Sequence, residues 1–196
     1  MNWLEEWFDK AKRILLGPKE FYQDVDRQEG FGYPIKFAVT SAVISGFLMS
    51  VLWALFPGAM KLFGGGMPFE AVYMTVTFLV LSGIVSGTLG LLINSGVIHI
   101  FVYLLGGRDY QKTTEAISYS YAISALVGWI PVVNFFAGLY AIYVQARGLE
   151  EFHEMSFARA LAAILLPVAI IFGLIIFAVV AFFWMGSMAS GQMPLQ

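Results

Sequence analysis

The sequence predicts an all-α integral membrane protein, in which an amphipathic interfacial helix precedes a bundle of five transmembrane helices. Hydrophobic residues make up 59% of the 196 and charged residues only 12%, with a mean hydropathy of +0.78. Soluble domains carry about a quarter charged residues. Residues 71–107 contain no Asp, Glu, Lys or Arg. The Lys and Arg residues are dispersed and mostly flank apolar runs, which is typical of a chain that crosses a membrane several times.

Composition and motifs argue against an enzyme. The sequence has no cysteine, which excludes disulfides, thiol catalysis and thiolate metal sites. It contains no nucleophile elbow, zinc-protease motif or phosphate loop. A net charge of −2 with dispersed basic residues indicates no nucleic-acid partner. We therefore predict no catalytic residues, no cofactor and no charge buried within the membrane.

One acidic cluster invites a metal interpretation. Glu150, Glu151, His153 and Glu154 are suitable ligand types, but contiguous residues on a helix or turn point in several directions. A solvated connection between helices is the favoured interpretation, and no metal site is predicted.

The N-terminal segment, residues 1–33, is predicted to be cytoplasmic and to begin with an amphipathic helix over residues 3–16. Aromatic and aliphatic residues lie on one face of this helix, and charged residues lie opposite. Such a helix suits the headgroup layer or packs on the protein's own bundle, and the two are compatible. The membrane anchors on this face would be Trp3, Leu4, Trp7 and Phe8.

The transmembrane domain is predicted over residues 34–186, with a short external tail at 187–196. Its spans are placed at about 34–56, 70–105, 113–129, 131–149 and 158–185. The charge-free arms of the third and fourth spans have only fourteen and sixteen residues and are separated by Trp129-Ile130-Pro131. These arms either cross a thin region of the bilayer or form a re-entrant pair.

The distribution of positive charge predicts the topology. If residues 71–107 cross once and the next two spans form a hairpin, every Lys and Arg except Lys61 lies on the cytoplasmic side. If residues 71–107 form a hairpin and the next stretch crosses once, Arg108 and Lys112 lie outside. If both stretches cross once, or both form hairpins, Arg147 and Arg159 lie outside. The sequence thus predicts five crossings of the cell membrane, with the N-terminus inside and the C-terminus outside.

The second span is longer than one crossing requires. Thirty-seven charge-free residues would extend about 55 Å as a helix, against a hydrocarbon core of about 30 Å. The excess must be taken up by tilt, by protrusion beyond the bilayer, or by a break near residues 87–96.

Small residues on the second span predict a packing surface. They recur at intervals of four, which lets helix backbones approach closely in lipid. The packing is either within the bundle or against a second protomer. The alternative is a hinge or a broken helix that lines a cavity. The predicted packing residues are Ser82, Gly83, Ser86, Gly87 and Gly90.

Three polar residues are expected to lie deepest in the membrane: Asn94, His99 and Asn134. Polar groups in hydrocarbon need internal partners, so these side chains are expected to face the bundle interior. Interhelical hydrogen bonding and a path for a substrate, proton or ion are the two interpretations.

Four sequence pieces, in this order and spacing, resemble the Yip1 family of five-pass membrane proteins. They are residues 15–22 (LLGPKEFY), 104–110 (LLGGRDY) leading into 116–122 (AISYSYA), 129–131 (WIP) before the helix with 140–143 (YAIY), and 148–153 (GLEEFH) with Ser156, Arg159 and Ala160. The positions that carry the likeness most directly are Pro18, Gly106, Gly107, Tyr121, Pro131, Gly148 and Ala160.

The resemblance implies a role in membrane organisation. Eukaryotic members act in vesicle trafficking between endoplasmic reticulum and Golgi and are associated with Rab GTPases, so a Rab-like GTPase partner is implied by resemblance alone. The short N-terminal segment looks more like the compact prokaryotic branch. We predict a membrane scaffold or adaptor whose partners are the lipid bilayer and a second copy or other membrane proteins. The alternative is a small transporter or channel that uses a glycine-broken span and intramembrane Asn and His.

Overall fold

The computed structural model describes residues 2–27, 29–56 and 72–189, with side chains from 76 to 185 in the last range. These parts of the chain are helical and contain no β-strand. The helices are α1 (Trp3–Leu16), α2 (Pro18–Asp24), α3 (Gly32–Leu55), α4 (Val72–Val85), α5 (Leu91–Leu104), α6 (Tyr110–Ile123), α7 (Pro131–Phe152) and α8 (Phe157–Ala189). Two π-helical segments, Ser86–Gly90 and Ser124–Gly128, follow α4 and α6.

Three helical stretches are long and apolar enough to cross a membrane: Gly32–Leu55, Val76–Leu104 and Phe157–Met185. They agree with the first, second and last predicted spans. The loop that holds Lys61, the start of the second span at residues 70–71, and residues 190–196 of the predicted tail lie outside the described residues. Helix α8 continues to Ala189, three residues into the predicted tail.

The N-terminal helix is locally well specified and packs on the bundle. Asn2 and Glu5 form a reciprocal capping box at its start, and Pro18 opens α2 directly after the Gly17 cap. Trp7 is only 4% exposed, and its indole Nε1 donates to Ser41 Oγ of α3 at 2.9 Å. The expectation that Trp7 anchors in lipid is therefore corrected, because its ring is enclosed between α1 and the bundle.

The other three predicted anchors differ from one another. Trp3 is half-buried and donates from Nε1 to Thr40 Oγ1 at 3.0 Å, while the Lys36 ammonium lies 3.7 Å from the centre of its ring. Leu4 and Phe8 are 60% and 55% exposed. The apolar face of α1 is thus divided between the protein's own core and the surface, in agreement with the two compatible alternatives.

The second span is one continuous helical path. The π segment Ser86–Gly90 joins α4 to α5. The helical turn is wider at this point, but the helix is not interrupted. Of the three ways to take up the excess length, the break near residues 87–96 is therefore wrong. The remaining alternatives, tilt and protrusion, both suit a continuous helix of this length.

Helices α6 and α7 form a tight hairpin. Each arm is longer than its charge-free stretch, because α6 begins in the polar segment at Tyr110 and continues into the π segment to Gly128, and α7 runs on to Phe152. The arms meet at Trp129 and Ile130, and Pro131 opens α7, where its missing N–H costs nothing. Polar residues at the base of both arms keep their hydropathy below that of the three apolar helices.

Candidate functional site

Helix α6 forms the polar centre of the molecule. Its side chains are almost fully enclosed by α1, α2, α3, α5 and α7, although many of them are polar. The buried polar residues on this helix are Thr113, Thr114, Glu115, Ser118 and Ser120. Buried polar groups need internal partners, so the hydrogen bonds of α6 determine which elements it holds together.

The first set of contacts attaches the N-terminal helices to the hairpin. The Tyr22 hydroxyl donates to the Ala116 carbonyl at 2.8 Å. The Tyr22 ring meets Tyr119 and Phe152 edge-on, with centroids 5.9 and 5.4 Å apart. Burial, and secondarily the nearby Glu115, raises the pKa of Tyr22 well above its ordinary value, so its hydroxyl keeps the proton that it donates.

Glycine makes this junction possible. A Cβ on Gly148 of α7 would lie 2.7 Å from Tyr22 Cζ and 2.9 Å from Ala116 Cβ. Tyr22 therefore fills the space that a side chain at position 148 would need, and α2, α6 and α7 meet at one point.

Glu115 corrects the prediction that no charge-bearing group is buried within the transmembrane domain. It lies within the predicted third span and is 1% exposed, and the Tyr119 hydroxyl donates to its Oε1 at 3.2 Å. Sequence reasoning missed this residue because Glu115 falls in the polar segment before the charge-free stretch. In the structure the helix begins at Tyr110, five residues before Glu115, and Glu115 lies on its buried side.

The second set of contacts joins the two histidines through one hydroxyl. Thr113 Oγ1 lies 2.8 Å from His99 Nδ1 of α5 and 2.9 Å from His153 Nε2, at the C-terminal end of α7. Thr113 Oγ1 also lies 3.4 Å from the Asp109 carbonyl oxygen. Because a hydroxyl has a single proton to donate, at least one of the two imidazole nitrogens must donate to Thr113. The arrangement links α5, α6 and the end of α7 through one side chain.

The loop between α5 and α6 is shaped to admit His153. Gly106 has a φ of +110°, a conformation that favours glycine. A Cβ on Gly107 would lie 2.9 Å from His153 Nδ1 and would collide with Val102 Cγ1. The Gly106-Gly107 pair therefore lets the loop turn sharply and lets the imidazole approach the backbone.

We expect acid to weaken this junction. Burial, with a further contribution from His99 and Lys112, lowers the pKa of His153 to about 4 from an ordinary value near 6.5. Between about pH 6.5 and about pH 4, His153 binds a proton in the unfolded chain but stays neutral in the folded chain. The free energy of unfolding therefore falls as the pH drops through this range and is regained as the pH rises. Thermal unfolding in detergent should show this slope in the wild type and a shallower one in His153→Gln. If stability depends on pH equally in the wild type and in His153→Gln, the pH dependence does not come from His153.

The third set of contacts surrounds a serine-lined cleft between α3, α4 and the end of α6. The Tyr121 hydroxyl donates to the Ser86 carbonyl at 3.2 Å, in the first residue of the π segment. The cleft has a volume of about 270 Å³ and is lined by Ala42, Ser45, Gly46, Leu79, Ser82, Gly83, Ser86, Tyr121 and Ser124. Ser82 and Ser86 donate to backbone carbonyls one turn earlier in their own helix, so their hydroxyl protons are already engaged.

The predicted packing residues lie at the contact of α4 with α3. A Cβ on Gly83 would lie 2.9 Å from the Ala42 carbonyl oxygen, and one on Gly87 would lie 2.5 Å from Val39 Cα. Gly90 has only ordinary contacts, the nearest being Ser86 Cβ at 3.5 Å. The close approach that these glycines allow is thus used inside the chain, which favours the first of the two alternatives, packing within the bundle.

The three deep polar residues do not come together. His99 joins the Thr113 junction, whereas Asn94 and Asn134 are both exposed. Asn134 lies near the hairpin turn, where a Cβ on Gly128 would be 3.5 Å from its Oδ1. The expectation that all three face the bundle interior is therefore wrong for the two asparagines.

Several of these residues could have been found in the sequence. Glu115 and Tyr119 lie four residues apart, one helical turn, in the polar run YQKTTEAISYSY, which also holds Thr113 and is unusual beside apolar stretches. The pairing of Thr113 with His153 joins positions forty residues apart and follows only from the hairpin. Among the described residues, no group of three or more His, Asp or Glu side chains could hold a metal ion.

The family comparison covers the elements just described. A model of the Yip1 domain matches residues 12–180, from the second half of α1 to the C-terminal half of α8. The chain belongs to the Yip1 family. No curated protein and no solved structure gives a significant match.

The Yip1 positions named from the sequence lie at helix starts and helix contacts. Pro18 and Pro131 open α2 and α7, and Ala160 is fully buried near the start of α8. Gly106, Gly107, Tyr121 and Gly148 take part in the three sets of contacts around α6. In this Yip1 protein the motif residues therefore serve the assembly of the helices.

Proposed function

We propose that this Yip1 protein is a membrane scaffold or adaptor without catalytic chemistry. The observation that carries the proposal is the rigid attachment of α1 and α2 to the hairpin through Tyr22, Gly148 and Ala116. A charged helical pair that is held in place at the end of a transmembrane bundle presents a fixed surface to other proteins, which suits an adaptor.

The surface in question is a groove between α1 and α2. It has a volume of about 650 Å³ and is lined by Asp9, Lys12, Arg13, Leu16, Gly17, Glu20, Phe21 and Asp24. An ion pair from Arg13 to Asp24, with 3.3 Å between Nη2 and Oδ2, closes one side. Both signs of charge line the groove, so a partner segment with both signs would match it.

Photo-crosslinking in native membranes tests the adaptor role. Because the chain has no cysteine, Lys12→Cys allows a photo-crosslinker to be attached at one site only. Since Lys12 lines the groove, this crosslinker is expected to capture a discrete protein. Capture should be lost in Asp9→Lys/Glu20→Lys, which changes the groove charge, and kept in Gln23→Lys, where Gln23 is outside the lining set. If crosslinking yields no defined product, or all variants behave alike, the groove is not a partner site.

We also propose the five-crossing topology in the cell membrane, with α6 and α7 as thin crossings. Helix α6 with the π segment that follows it, residues 110–128, and helix α7 would extend about 28 and 33 Å at 1.5 Å per residue, close to the hydrocarbon thickness. Arg27 Nη2 lies 3.4 Å from the Glu151 carbonyl, and His153 lies beside the α5–α6 loop. The N-terminal segment and both polar connections thus meet at one end of the bundle, as the charge distribution requires of the cytoplasmic side.

The exposed residues of α1 are proposed to lie in the headgroup layer. An environment-sensitive dye at Phe8→Cys should be quenched by spin-labelled lipid more strongly than the same dye at Gln23→Cys, because Phe8 lies one turn from Leu4 and both side chains are exposed. Equal quenching at the two positions would show that α1 stands clear of the bilayer.

A transporter or channel is the second candidate, and the serine-lined cleft is the observation that favours it. This candidate predicts solute or ion flux in sealed liposomes, blocked by Ser82→Leu. The scaffold proposal predicts leakage no faster than in protein-free liposomes. Reproducible flux that Ser82→Leu abolishes would overturn the scaffold proposal.

A further inference from the structure

One amide on the second span is exposed and has no partner among the described residues. Asn94 lies on α5 beside Ile93, which is 67% exposed, and near Val97, which is 38% exposed. Within the parts of the chain that the structure describes, no hydrogen bond reaches its side chain. An Asn side chain offers two N–H donors and a carbonyl acceptor, all of which are surrounded here by apolar surface.

The length of the span places this amide in hydrocarbon. Val76–Leu104 is continuous and 29 residues long, which is about 43 Å of helix against a core of about 30 Å. Asn94 lies ten residues, or about 15 Å, from Leu104. A core that begins at Leu104 has Asn94 at its centre, and a core that begins at Val76 still includes Asn94, about 3 Å from its far edge.

The Asn94 amide needs a hydrogen-bond partner at this depth, and the described bundle supplies none. Hydrocarbon supplies no hydrogen bonds, so an unsatisfied polar group there is costly. The glycines that would otherwise provide a helix-pairing surface, Gly83 and Gly87, are already occupied by Ala42 and Val39 of α3. The exposed side of α5 around Asn94 is therefore a polar surface of this span that the described bundle leaves uncovered.

We propose that Asn94 is the centre of a symmetric contact between two copies of this chain. The amide is both donor and acceptor, so it is complementary to itself, and a two-fold axis normal to the membrane would bring Asn94 onto Asn94. Such an isologous contact satisfies both copies with one residue type, and Asn side chains are known to join transmembrane helices in this way. The proposal is independent of the scaffold function.

Self-association in lipid vesicles tests the proposal. Full-length protein carries donor or acceptor dyes at Gln23→Cys, an exposed site on α2, and energy transfer is measured against protein density. We expect a dimer in the wild type and a roughly 3- to 30-fold weaker association in Asn94→Leu, from the range of interhelical hydrogen-bond strengths in membranes. Asn94→Gln keeps an amide and should retain most of the association.

The matched control is Asn134→Leu, which removes the other exposed asparagine from the transmembrane domain and should leave the association unchanged. A monomeric wild type at all densities would overturn the proposal, as would an undiminished dimer in Asn94→Leu or an equal loss in Asn134→Leu. Helicity and thermal stability of the diluted Asn94→Leu protein are measured alongside. A destabilised monomer would mean that the amide has its partner within the chain, which also contradicts the proposal.

Discussion

Tyr22→Ala is expected to lower the free energy of unfolding by about 3–5 kcal/mol, the range for removing a buried aromatic ring. Tyr22 is buried and contacts α6 and α7 through Ala116, Tyr119 and Phe152. Because these contacts attach α1 and α2 to the hairpin, we also expect the N-terminal helices to become sensitive to protease in this variant. Unfolding by denaturing detergent, followed by circular dichroism, gives the free energy.

Tyr22→Phe is the matched control. It keeps the ring and loses only the hydrogen bond to the Ala116 carbonyl, for which we expect a cost of about 0.5–1.5 kcal/mol and no new protease site. If Tyr22→Ala is as stable as Tyr22→Phe, the ring does not hold the N-terminal helices, and the adaptor proposal loses its structural basis.

Gly87→Ala is expected to cost about 1–3 kcal/mol by overpacking the contact of the second span with α3. The added methyl group would lie 2.5 Å from Val39 Cα and 2.6 Å from Val39 N. These are backbone atoms, so the helices themselves must move apart. The same unfolding assay measures the loss, and a larger residue such as Leu should prevent the native packing.

Gly173→Ala is the control for helix propensity. Gly173 lies in α8, and a methyl group added there would have no atom within 4 Å, so this change should be neutral or stabilising by up to about 1 kcal/mol. A Gly87→Ala protein as stable as Gly173→Ala would show that the second span and α3 do not approach as closely as these distances require.

Helix type and the three apolar spans were predictable because they depend on local hydropathy. Residues 71–107 and the run that ends near Trp184 are apolar over many turns, and no tertiary contact is needed to make them helical in a membrane. The amphipathic face of α1 was equally clear. Which residues of that face would be buried and which exposed was not predictable, because Trp7 is buried through its contact with Ser41 of α3.

The polar centre around α6 was largely hidden from sequence reasoning. Glu115 lies just before the charge-free stretch and was not expected to be buried, and depth along the helix favoured Asn94 and Asn134 over Thr113. In the structure, exposure depends on which side of a helix faces the hairpin, and a shift of one residue rotates a side chain by about 100° around the helix. Periodicity alone could not fix that rotation for helices that are apolar on nearly every side.

The accessibility of single cysteines to a membrane-impermeant thiol reagent tests most directly the account that the N-terminal segment and both polar connections meet on the cytoplasmic side. The cysteine-free sequence allows Gln23→Cys, Arg108→Cys, Glu154→Cys and Lys61→Cys to be compared in intact cells. We predict that Lys61→Cys reacts from outside, and that the other three react only after the membrane is opened. Labelling of Arg108→Cys or Glu154→Cys from the side opposite to Gln23→Cys would contradict the account.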